Sequence, residues 1–176
     1  NALTNQATEE NVKSSDFLLM KATVDPEQDL TADGKLKISL SHAMSKLIIK
    51  ITVNGTTDAA MNKLGDMSIN GAVVNGICDL SATVPMVVPA PDAVVATVTP
   101  YKGAEFCECI LPPQKIAEGF SVNFSYDGKL YIWAAKEAIE LEKGVEHTLT
   151  LNVNTTVRLA AKMARNWATG QLVDRN

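Results

Sequence analysis

The sequence predicts an all-β sandwich in a single domain, and three observations carry that prediction. Apolar residues recur at every second position in run after run, the half-buried pattern of a strand whose faces alternate. Turn signals separate the runs at roughly 8 to 12 residues, the spacing of a sandwich. Aliphatic residues dominate an apolar content of 46%, with only 5% aromatic, which suits cores of Val, Ile and Leu packed on sheets. At 176 residues, the chain is long enough for one well-packed core, burying roughly 68 to 70% of its unfolded surface.

Residues 1–15, ending Glu9-Glu10-Asn11-Val12-Lys13-Ser14-Ser15, are polar and aperiodic, and they read as a linker or lead-in ahead of one domain over residues 16–176. Phe17-Leu18-Leu19-Met20-Lys21-Ala22 follows Asp16 as a short expected strand, bounded by Asp25-Pro26. Leu36, Ile38, Leu40 and His42 alternate with Lys37, Ser39 and Ser41, which predicts a half-buried strand. The period resumes at Leu47, Ile49, Ile51 and Val53, and Asn54-Gly55 closes it with a turn. Asp58 to Leu64 reads as one or two helical turns, with Asp58 as N-cap and Gly65 as the stop. Short β-prone pieces then cover Met67–Ile69, Val73–Leu80, Val84–Val88 and Val94–Thr99.

The strongest local signal is Phe120 to Trp133, two alternating runs joined by Asp127-Gly128, the pair that supplies the positive φ values of a type I′ hairpin. Lys143-Gly144 is a further turn, leading into Val145, His147, Leu149, Leu151 and Val153 at strict period two. A last alternation runs through Val157, Leu159, Ala161 and Met163 towards Trp167. The expectation is about seven or eight strands with one short helix.

Charge and motifs exclude several functions. A net charge of −4 with no basic run argues against nucleic acid or an anionic membrane surface as partner. No apolar stretch reaches the 18 or so residues that cross a bilayer as a helix. The chain opens Asn1-Ala2-Leu3 without Met or a charged leader, and reads as a processed product or fragment. Cys107 and Cys109 would point to one face of a strand, so free buried thiols are expected in place of a disulfide framework. Adjacent Ser41 and His42 would face opposite sides and make no nucleophilic pair. His42, His147 and the cysteines lack compact ligand spacing, so neither metal nor cofactor is expected.

Taken in order, several segments resemble the C-terminal domain of the Bacteroidales fimbrillin family, the subunits of type V pili and their relatives. The matching pieces are Gln6 with Ser15-Asp16-Phe17-Leu18-Leu19, then Leu40-Ser41-His42-Ala43-Met44-Ser45-Lys46-Leu47, where His42, Lys46 and Leu47 carry the signature. Ile110-Leu111-Pro112-Pro113-Gln114, the Tyr126-Asp127-Gly128-Lys129-Leu130-Tyr131 hairpin, Leu141-Glu142-Lys143-Gly144 leading to Leu149-Thr150-Leu151, and Val157-Arg158-Leu159-Ala160-Ala161 up to Asn166-Trp167 complete it.

The resemblance implies a transthyretin-like antiparallel sandwich, export as a lipoprotein precursor and a place on the outer cell surface or in the fimbria of a Gram-negative bacterium. It also implies an N-terminal β-domain and a lipidated cysteine ahead of Gln6, neither of which stands in this sequence. Asn54-Gly55-Thr56, Asn123-Phe124-Ser125 and Asn154-Thr155-Thr156 fit the N-glycosylation pattern, but a bacterial source makes them chance matches.

Fimbrillins join by donor-strand exchange, and the segment in the donor position is Val157 to about Val173, with Val157, Leu159, Ala161, Met163 and Trp167 as pocket-filling residues. The same period fits a resident last strand equally well. Three function classes follow: a structural pilus subunit with other pilus subunits as partners; a non-polymerising adhesin for a host surface protein or glycan; and a hydrolase, which would need converging carboxylates. The adhesin's sign would be an exposed aromatic cluster drawn from Tyr101, Tyr126, Tyr131 and Trp133.

Overall fold

The computed structural model describes residues 1–20, 23, 25, 27–36, 38–55, 61–153, 159–163 and 171–174, the last two stretches by their backbone. Helix α1 (Glu9–Ser15) is followed by short strands β1 (Leu18–Leu19) and β2 (Ser41–His42) and the long β3 (Ser45–Val53) and β4 (Leu64–Val73). Next come β5 (Gly76–Cys78), β6 (Val87–Pro89), β7 (Val95–Val98), β8 (Tyr101–Lys102), β9 (Cys107–Leu111) and β10 (Gln114–Ile116). The chain continues with β11 (Ser121–Tyr126), β12 (Lys129–Ala134), β13 (Ile139–Leu141), β14 (Glu146–Val153), β15 (Leu159–Met163) and β16 (Gln171–Asp174).

Two five-stranded sheets form the sandwich, one in the order β16-β12-β11-β4-β7 and the other β15-β14-β3-β9-β8, with three two-stranded ribbons beside them. The all-β sandwich is as expected, though its strands are shorter and more numerous than seven or eight. One pair departs from the antiparallel expectation: β3 and β14 run parallel in the centre of the second sheet, in register from Lys46↔Glu146 to Val53↔Val153. Both strands alternate alike, so their pattern is silent on direction.

The core lies between the sheets. Leu47, Ile49 and Ile51 of β3 and Leu149 and Leu151 of β14 are fully buried against Ile69, Val122, Phe124 and Trp133 of the facing sheet. Trp133 meets Phe120 edge-on at 6.1 Å and 80°, and Phe124 stacks on Tyr131 at 5.4 Å. At the β11–β12 hairpin, Asp127 and Gly128 hold φ of 51° and 76°, and Asn54 and Gly55 hold 49° and 82°. Both turns therefore form as read, because a type I′ turn needs two positive φ values in succession.

Two expectations are corrected. Residues 1–15 are not a free lead-in: Glu9–Ser15 is a helix, its N-terminus capped by the Thr8 hydroxyl accepting from the Asn11 amide, with Val12 and Ser15 buried. Ala2 and Gln6 are buried as well. Leu36 to His42 is not a half-buried strand. Among the described residues, Ser41–His42 pairs with Leu18–Leu19 and Leu36 makes a single antiparallel bridge to Leu30, while Ile38 and Leu40 stay 58% and 57% exposed. Alternation states which face would need cover, and here no sheet supplies it. The helical turns expected from Asp58 fall partly outside the described residues, and Leu64 already belongs to β4.

Candidate functional site: a charged cleft beside helix α1

The family signature sits where α1 crosses the outer face of the second sheet. Helix α1 is short, and its local support is the Thr8 cap, Glu9 and Glu10 in its first turn and Lys13 in its last. Lys13 reaches Glu9 at 2.8 Å, which holds the Glu9 carboxyl below and the Lys13 ammonium above their ordinary ranges; both are fully exposed. Ser15 anchors the helix to the chain before it: its hydroxyl donates to Asn11 O at 2.7 Å and accepts the Leu3 amide at 3.0 Å.

The two-residue ladder of β1 and β2 pairs Leu18 with His42, and the Ala43 amide donates to Phe17 O at 2.8 Å. That brings His42 Nδ1 to 2.6 Å from Asp16 Oδ2. On β3, Lys46 stands opposite Ile110 of β9 and Glu146 of β14. Its ammonium lies 2.6 Å from Glu108 and 3.8 Å from Glu146. The resulting cleft, about 440 Å³, has Val12, Met44, Ile110 and Val145 among its apolar lining and these charged groups around them. Asp16 Oδ1 is buried there and finds no hydrogen-bond partner among the described residues. A buried acceptor left in that state is costly, about 1–3 kcal/mol and more for a charged one.

The other signature residues serve the framework. Leu47 is in the core. Gln114 acts as a one-residue strand: its Oε1 accepts the Val73 amide at 2.9 Å, and its Nε2 donates to Val73 O at 2.9 Å and Pro112 O at 3.0 Å. Gln6 repeats the device at β9, with Oε1 accepting from Ile110 N at 2.8 Å and Nε2 donating to Ile110 O at 2.8 Å and Leu3 O at 2.9 Å. Asp127 and Gly128 make the hairpin turn, where Asp127 also meets Lys63 at 3.1 Å.

His42 and His147 do not meet as a pair of ligands: His147 is buried, its Nε2 accepting the Glu142 amide at 2.9 Å, while His42 is exposed. Among the described residues no three His, Cys, Asp or Glu side chains gather to hold a metal. The three cysteines are free thiols. Burial pushes the Cys107 thiol up to about 11 and the Cys109 thiol further still. The aromatic candidates are not gathered on the surface, since Tyr126 and Trp133 are buried and Tyr101 and Tyr131 pack partly against the core.

Of the proposed donor residues, Leu159, Ala161 and Met163 lie in β15, opposite Val153, Leu151 and Leu149 of β14. Val157 and Trp167 lie outside the described residues. What sequence reading missed is Asp16, Glu108 and Glu146 as neighbours of His42 and Lys46. The signal available for α1 was Thr8 followed by Glu9, Glu10 and an i,i+4 Lys13.

A family model described as fimbrillin-like matches residues 1–166. The chain belongs to the fimbrillin-like family. Among solved structures, this fimbrillin-like chain is similar to a Bacteroides uniformis protein assigned to cell adhesion, at 18% identity and a TM-score of 0.53, over 70% of this chain and 51% of that one. At that identity the likeness bears on the fold alone. A Bacteroides ovatus protein, also assigned to cell adhesion, aligns at 20% identity with a TM-score of 0.49, over 78% of this chain and 47% of the other. The fimbrillin-like chain thus spans about half the length of each. Comparison with curated proteins found no match. Family membership supports a pilus- or adhesion-related role at the cell surface. No helix among the described residues is long and apolar enough to cross a membrane.

Proposed function

We propose that the chain is a structural subunit or accessory component of a cell-surface fimbria, joined to other pilus subunits by donor-strand exchange and contributing to adhesion. It works without catalysis, and its precursor reaches the outer membrane through a lipid anchor. The exchanged segment is Val157 to about Val173. The observation that carries this reading is the edge position of the last strands: among the described residues β15 pairs with β14 and β16 with β12 and with no further strand, each at the border of its sheet. An edge strand is held by one ladder of main-chain hydrogen bonds. An equivalent strand from another subunit can restore that ladder and refill the same side-chain positions without disturbing the centre of the sheet.

The test is to treat the full-length precursor with a trypsin-like protease and look for detergent-resistant ladders on an unboiled gel, alongside a form truncated after Thr155. Ladders from the intact form but not the truncated one support exchange. No ladders from either, with the truncated form unfolded, make the segment a resident strand and overturn the proposal in favour of a non-polymerising surface adhesin.

A further inference from the structure

We infer that the end of the sandwich carrying the β1–β2 and β5–β6 ribbons docks against the same surface of a second copy of this chain. On β5–β6, Cys78 and Val87 turn towards the core, while Ile77 and Val88, opposite each other in the ladder, take the outer face. Ile77, Val84, Met86 and Val88 are 50%, 68%, 52% and 42% exposed. Phe17, just before β1, and Ile38 and Leu40, leading into β2, are open to a similar degree. The two ribbons lie side by side. Phe17 lines one hollow of about 220 Å³ with Ile77 and Val87, and Leu19 and Ser41 line another of about 350 Å³ with Val84 and Pro85.

Area and charge argue for a second copy as the occupant. At about half exposure each of these seven residues offers on the order of 100 Å², together on the order of 700 Å², which exceeds the roughly 300–600 Å² of the largest patch on a typical monomer and approaches the roughly 800 Å² that one partner of a stable pair contributes. Each chain carries a net charge of −4, so two copies repel unless they meet where charge is lacking. In residues 76–91 Asp79 is the one charged side chain, and it is held in its own loop, accepting from the Ser81 amide and hydroxyl at 2.8 and 2.6 Å. Residues 17–20 and 38–41 carry no charge. An anionic membrane surface would call for free cations here, whereas Lys143, which lines the larger hollow, donates to Pro85 O at 3.2 Å. Pairing about a two-fold axis lets the patch cover its own copy and closes the assembly at two chains. The contact is separate from strand exchange, since none of the residues that form it lies in 157–173.

The test is sedimentation equilibrium of the full chain at roughly 1–200 µM, a range suited to the modest affinity of an interface with few polar anchors. The mass should rise from 18.9 kDa towards twice that value and no further. Leu40→Lys and Val84→Lys, one on each ribbon, lie outside the strands and break no ladder. Each should weaken pairing about tenfold or more, because a charge enters the buried patch of both copies. Lysine also lowers the net charge, so the loss cannot come from added repulsion between copies. Leu130→Lys, at a leucine 52% exposed on β12, should pair as the unaltered chain does. A chain that stays monomeric throughout, or that cosediments with phosphatidylcholine vesicles in place of pairing, gives the patch to another partner and overturns the assignment. Assembly beyond two chains, equal weakening by Leu130→Lys, or undiminished pairing in either Leu40→Lys or Val84→Lys overturns it as well.

Discussion

Replacing Gln6 by Ala tests whether a single amide can stand in for a strand. Gln6 is fully buried and holds both the N–H and the C=O of Ile110 at 2.8 Å, while Nε2 also donates to Leu3 O at 2.9 Å. Strand β8 pairs only with Glu108 and Cys107 of β9, so beyond them the Gln6 side chain continues the edge of the sheet. The Ala variant leaves two buried backbone groups on Ile110 without their partner, each worth about 1–3 kcal/mol, together about 2–5 kcal/mol after partial relaxation. At about 2–4 °C per kcal/mol for a chain of this size, Tm falls by roughly 5–15 °C. Urea unfolding should show the loss as a lower midpoint with an unchanged slope. Hydrogen exchange at the Ile110 amide should accelerate in step. A loss under about 1 kcal/mol, or an Ile110 amide as protected as before, refutes the reasoning.

Gln114→Ala should cost a similar amount, because Val73 loses the same pair of bonds. The double variant should be additive to within about 0.5 kcal/mol, since the two glutamines share no partner; a larger coupling in urea melts would contradict that. Gly128→Ala should cost about 1–2 kcal/mol, purely for its φ of 76°, as a Cβ there meets nothing within 4 Å. Gly71→Ala should be far worse, because a Cβ would lie 2.4 Å from Gly119 O as well as at φ 88°; equal melting temperatures for the two would refute this. A chromogenic disulfide reagent near pH 8 should find one fast thiol, Cys78, in the native protein and three in urea, and a second fast native thiol would argue against burial of Cys107 and Cys109. The fold holds the Cys107 proton more tightly than the unfolded chain does. Its contribution to stability is therefore intact below pH 9.0 and declines as pH rises from 9.0 towards about 11, a slope that Cys107→Ser should flatten.

What could be read without the structure was whatever depends on a few consecutive residues. Asp127-Gly128 and Asn54-Gly55 turn as expected because their φ values are a property of the pair itself. Ser45–Val53 and Glu146–Val153 were legible because period two runs long enough in each to name an inward face. The described residues of Leu36 to Leu40 show the same period but carry only a single bridge, Leu36 to Leu30, since a strand also needs a neighbour along its length to accept its hydrogen bonds, and here the two-residue ladder lies at Ser41–His42. Helix α1 escaped notice because seven residues with Val12 as its one large buried apolar side chain are too few to display a 3.6-residue period. The cleft was half legible: His42 and Lys46 stand out within one short motif. Asp16, Glu108 and Glu146 come from three other segments, and nothing near them in the chain marks them as neighbours.

The sequence by itself determined the all-β class, the tight turns, the free thiols and the order of segments that marks the fimbrillin-like family. Backbone propensity and face alternation are local, so each window of residues states them independently. Only the tertiary structure decided that β3 and β14 run parallel, that Gln6 and Gln114 complete strands with their side chains, that β15 and β16 lie at the sheet borders and that Asp16 meets His42. Those are choices of partner. Burial and hydrogen bonding reward a pairing only when all the competing segments have found their places together, so no single stretch of sequence encodes it.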